Sequence, residues 1–195
     1  MVYTGVGARK TPQTVLDLMT EIGMYFGSYG WTLRSGGGDG ADSAFEHGHD
    51  CMGGIKEIFL PCPDYRHHSS NLYIGSDNVE TGKALSLAEQ LWGKREDKLC
   101  EWNELSEFSR ANFARDVFSI CGVDLCLPTD LLICWTIDGE ASGGAGFAIR
   151  IANYLTELTG YSIPIINLQK EAHRIAIKNI LKGTDPAIVV KEMKR

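Results

Sequence analysis

Two kinds of apolar pattern alternate along this chain. Short dense runs ("MVYTGV", "WTLRS", "GIKEIFLP", "DLLICWT", "YSIPIINL") are bounded by Gly, Pro or Asp and predict strands. Between them, apolar residues recur at three- and four-residue intervals and predict helices. The clearest case is Val15, Leu16, Leu18, Met19, Ile22, Met24, Tyr25 and Phe26, which starts after Pro12 and stops at Gly27 and Gly30. Further helices are predicted from about Ala41 and over 80–93, 104–122, 144–158 and 170–182. "DLLICWT" at 130–136 is apolar almost throughout, as a strand covered on both faces must be. Residues 62–80 show no sustained period, and the tail "DPAIVVKEMKR" is read as a short edge strand. Strand, glycine turn, helix and strand again predict an α/β fold, a mostly parallel sheet with helices on both faces, over residues 1–195 as one domain.

Composition narrows the classes. The 195 residues are 44% hydrophobic and 23% charged, ordinary for a globular protein with a sizeable core. No run approaches the ~20 apolar residues of a membrane span, and "MVYTGVGARK" lacks the apolar core of a signal peptide, so a cytoplasmic location is expected. The net charge of −6 disfavours nucleic acid as a non-specific partner. The six cysteines form no C-x-x-C pair and read as packed thiols. His47, His49 and Cys51 suggest zinc, but no fourth ligand accompanies them, and neither metal nor cofactor is expected.

The chemistry concentrates in three strand-to-helix turns: "GARKTP", "SGGGDGAD" at 35–42 and "DGEASGGAG" at 138–146. A glycine turn that opens a helix presents bare amides and the positive end of the helix dipole, and both favour a phosphate. Neither the dinucleotide fingerprint nor the P-loop motif is present, since "GVGARK" carries only G-x-G and no G-K-[ST] follows the glycines. Two glycine loops, with Arg9 and Lys10 on a third, point to a phosphate-bearing ligand.

"TGVGARKTP", "LRSGGGDGADSAFEHG" and "DLLICWTIDGEASGGAGFAIRIA" followed by "IPIINL" resemble the SLOG superfamily. That group includes the lonely-guy phosphoribohydrolases, the DNA-processing protein A and nucleotide-sensing domains of bacterial defence systems; the nearest likeness is to short phage-type relatives of the DNA-processing protein. The resemblance spans roughly residues 2–61 and 105–168 and implies a Rossmann-like three-layer domain. It also implies ligand-binding roles for Gly36, Gly37, Gly38, Gly40, Gly143, Gly144 and Gly146, with Arg9 paired to a phosphate, and Gly7 on the same first loop is a further ligand-binding candidate. The hydrolases carry P-G-G-x-G-T-x-x-E, and here Phe147 stands at the threonine and Arg150 at the glutamate. The usual catalytic carboxylate is missing from that position.

Asp42 and Glu46, one helical turn apart after the first glycine loop, are the candidate catalytic replacements, able to stabilise positive charge on a sugar. A capping role for Asp42 and a solvated helix face for Glu46 are the plainer readings. Asp138 and Glu140, on the second loop, are alternatives to that pair or candidates for binding ribose hydroxyls. In "FSRANFARD", Arg110 is favoured over a surface ion pair as a phosphate contact, and Arg115 shares the resemblance to the family's arginine-bearing helix. Trp135 either stacks on a base or packs in the core. His67 and His68 suit a lid. Phe113, Val117 and Phe118 offer an apolar face for a homo-oligomer. Three functions follow: a nucleotide site that holds its ligand or cleaves its N-glycosidic bond, a single-stranded-DNA-binding recombination mediator, and a protein that sequesters a cyclic or ADP-ribose-type signal nucleotide.

Overall fold

In the computed structural model, which describes residues 1–96 and 98–194, six strands run parallel in one sheet. They are β1 (Val2–Gly7), β2 (Thr32–Ser35), β3 (Lys56–Leu60), β4 (Leu72–Tyr73), β5 (Leu131–Trp135) and β6 (Ile165–Asn167), in the order β4-β3-β2-β1-β5-β6. The register follows Tyr3 opposite Leu33 on one side and Leu131 on the other. β5 is buried at every residue, and alternation sends its side chains into two cores. Leu131, Ile133 and Trp135 join one, while Leu132 and Cys134 join the other.

The first core is roofed by α1 (Gln13–Ser28), α2 (Ala41–Cys51), α6 (Glu171–Ile180) and α7 (Pro186–Met193). The second is roofed by α3 (Thr81–Gly93), α4 (Glu107–Cys121) and α5 (Gly143–Thr159). The result is the Rossmann-like, three-layer α/β arrangement expected from the strand–helix alternation. The chain walks outward from β1 to β4, then returns to the other side of β1 with β5. The loops leaving β1 and β5 therefore diverge to opposite faces, and a crevice opens between their carboxyl ends.

Three expectations are corrected. The tail forms helix α7, not an edge strand: the Asp185 side chain accepts from the Ala187 amide as N-cap, and Pro186 occupies the first turn, where its missing N–H costs nothing. Residues 62–80 contain the two-residue strand β4, which pairs with β3 through Phe59 and Leu60. Val117 and Phe118 are fully buried in the second core, and Phe113 packs edge-on against Phe147, so this face of α4 serves the interior rather than a partner subunit. His49 packs in the core as a buried helix residue, its Nδ1 3.3 Å from the Gly23 carbonyl oxygen and its Nε2 3.0 Å from that of Ile55, and no metal-binding group is found among the described residues. Among those residues, no helix is long and apolar enough to cross a membrane.

Candidate functional site

At the carboxyl ends of β1 and β5 lies a cleft of about 640 Å³. One wall is the β1–α1 turn, Gly7 to Lys10, with the Arg9 and Lys10 side chains exposed. The opposite wall is the N-terminus of α5, with Ser142, Gly143, Gly144 and Ala145. Ser142 sits at the N-cap position without capping the helix, because its hydroxyl donates to Asp138 Oδ1 at 2.8 Å. Asp138 Oδ1 also accepts from the Glu140 amide at 2.9 Å, so this carboxylate shapes the β5–α5 turn. A Cβ added at Gly143 or Gly144 would meet nothing within 4 Å, which leaves the first turn of α5 open to a guest. The third wall is α4, from Phe108 to Asp116, with Leu105 before it.

Asp42, Arg115 and Asp116 line the same cleft as one charged cluster. Arg115 Nη2 is 3.3 Å from Asp116 Oδ1, and Arg115 Nη1 is 3.9 Å from Asp42 Oδ2. Nη1 also donates to the Gly36 carbonyl at 2.7 Å. Its Nε is buried with no hydrogen-bond partner among the described residues. Two buried carboxylates share one guanidinium, so one charge is uncompensated when both ionise. Burial pushes the Asp116 carboxyl up to about 6 against the pull of Arg115. Asp42 is raised for the same reason, opposed by Arg115 and by the Gly38 and Gly7 amides that donate to it. Burial works against the charge on Arg115, but Asp116 and Asp42 outweigh it and hold its pKa above the ordinary value. A carboxyl that titrates near neutrality is matched to proton transfer.

The two glycine loops are not equivalent. In the first, Gly36 lies under the Arg115 guanidinium, where a Cβ would come within 2.5 Å of Cζ. Gly37 has φ +63 and faces Leu60, and Gly40 has φ +80 and backs onto the Arg9 carbonyl. The Gly38 amide is taken by Asp42 at 3.1 Å. These glycines let the α2 loop nest against protein. A strap covers that loop: Asp64, Arg66 and His67 all have positive φ, Arg66 Nε donates to Asp39 at 2.7 Å, and His68 Nε2 lies 2.8 Å from Glu46. The Ser70 amide donates to His68 Nδ1, so Nε2 carries the proton given to Glu46.

Of the residues singled out from sequence, the structure brings Gly7, Arg9, Asp42, Trp135, Gly143 and Gly144 together around the cleft. Trp135 is only 4% exposed, and its indole N–H donates to Gln169, which makes it more wall than platform. Gly36, Gly37, Gly38, Gly40, Asp138 and Gly146 do not line the cleft; Gly146 is needed because a Cβ would strike the Ala141 backbone. Glu46 is apart from it too, 13% exposed and paired with Lys56 at 2.7 Å as well as with His68. Asp42 and Glu46 therefore do not act on one cleft as a pair. Arg110 lines a separate hollow, and it is Arg115 that reaches the cleft floor. Asp116 was hidden in the sequence because "ARD" reads equally well as a surface ion pair; only burial distinguishes the two.

No family model matches the chain, and none of the curated proteins or solved structures matches it.

Proposed function

We propose that the chain binds a phosphate-bearing nucleotide, or a ligand derived from one, in the cleft between β1 and β5. The observation that carries this reading is the convergence, at the switch point of a parallel sheet, of an uncapped helix N-terminus with the Arg9–Lys10 turn. The phosphate belongs between these two positive elements. The sugar then faces Asp116 and Asp42, and the apolar side chains of Leu105 and Phe108 offer a surface for the base. The test is calorimetric titration with a panel of nucleoside monophosphates. Binding of at least one is expected, weakened about tenfold or more by Arg9→Ala through loss of a charge-assisted contact. A protein that binds none of them overturns the reading.

A second reading, cleavage of the N-glycosidic bond, is favoured by the cluster of Asp42, Arg115 and Asp116. Water would add to the sugar carbon as its bond to the base breaks, with one water proton passing to Asp116 and the departing base nitrogen taking a proton from solvent. A carboxylate beside the sugar stabilises the positive charge that develops there. Release of free base, seen by chromatography and lost in Asp116→Asn while binding persists, supports this reading. Binding without release leaves the chain a holder or sequestering protein. Single-stranded DNA is the weaker partner because the net charge is −6.

A further inference from the structure

The first turns of α4 form a partition with a hollow on each side. Phe108, Ser109 and Asn112 face the cleft, while Glu107, Arg110 and Ala111, offset on the helix surface, face a second hollow of about 570 Å³. This hollow lies beyond the carboxyl end of β3, at the same rim of the sheet, and its apolar walls include Ile74, Leu85 and Trp102. Phe108 lines both hollows and is 46% exposed, so it forms the crest between them. Each hollow alone has the volume of an ordinary small-molecule site.

Arg110 decides what the second hollow fits. Among the described residues its guanidinium has neither an ion pair nor a hydrogen bond, although Glu107 lies one turn earlier on the same lining. An aromatic-walled hollow with an unengaged guanidinium suits a planar ring carrying oxygen acceptors, because a guanidinium both stacks on rings and donates to phosphate or hydroxyl oxygens. Resting on the reading of the cleft as a nucleotide site, we infer that the second hollow receives the far nucleoside of a two-headed nucleotide, bent so that its two bases flank Phe108. Its ring lies against Trp102 and Phe108, and Arg110 meets the far sugar or the linking phosphates.

Calorimetric titration with AMP and with diadenosine di-, tri- and tetraphosphate tests this. At least one two-headed ligand is expected to bind about tenfold or more tighter than AMP, the scale of one added stacked base. Arg110→Ala and Arg110→Glu are expected to remove that advantage while AMP affinity stays within about twofold, thermal melts reporting on folding. Two-headed ligands no tighter than AMP, or Arg110 variants that weaken both classes equally, overturn the inference and leave the cleft reading standing. If no nucleoside monophosphate of the panel binds and no two-headed ligand does, the cleft reading itself fails and the inference falls with it.

Discussion

Asp116 shows burial prevailing over an adjacent opposite charge. Its pKa of about 6 against an ordinary 3.8 means that the folded protein binds a proton the unfolded chain has released. The stability this group contributes is therefore full below about pH 4 and is lost as pH rises through about 6, a change of roughly 3 kcal/mol for two pKa units. Asp116→Asn should flatten that part of the profile. Denaturant unfolding of both proteins between pH 4 and pH 8 measures it, and parallel profiles reject the assignment. Arg115→Met should cost about 3–5 kcal/mol at pH 8, because it strands two buried carboxylates. The loss should shrink at pH 5, where Asp116 is protonated. An equal loss at both pH values would show that the guanidinium acts by packing rather than by charge.

Among the elements, the α1–α2 pair depends on glycine where the helices cross. A Cβ at Gly48 would fall on the Thr20 carbonyl oxygen, and one at Gly23 on the Phe45 carbonyl oxygen. Gly48→Ala should therefore destabilise by about 1–3 kcal/mol or more through overpacking. Gly144→Ala, with open space around it, should change stability by less than about 1 kcal/mol. Urea midpoints of the two variants compare the sites directly, and equal losses would contradict the crossing geometry. The strand–helix elements were legible because each buries a stripe or a face of its own. β4 was not, since two residues carry no period, and α7 was misread because "AIVV" suits a strand until Asp185 and Pro186 are taken as its cap and first turn.

For the whole molecule, the position of the cleft follows from strand order. The β1 and β5 loops flank one crevice because β5 returns beside β1, and the first glycine loop is folded beneath Arg115 and the strap at 64–68. Hydrogen-exchange mass spectrometry with a bound nucleoside monophosphate should show new protection at 7–10 and 142–146, with residues 36–40 unchanged. Protection confined to 36–40 would return the ligand to the first glycine loop. Gly7, Arg9, Asp42, Trp135, Gly143 and Gly144 were readable as site candidates because loops after strands gather at one rim. Asp116 and the crest at Phe108 were not, because they come from a helix whose docking no local pattern specifies.

Local patterning alone determined that this chain alternates strands with helices and that glycine turns with cationic neighbours sit at the strand ends, because periodicity and turn chemistry act within a few residues. Which glycine loop stays open, which arginine reaches the cleft and which carboxylate holds its proton were decided only by tertiary packing. Desolvation and close approach depend on residues far apart in the chain, and they exist only once the layers have closed around them.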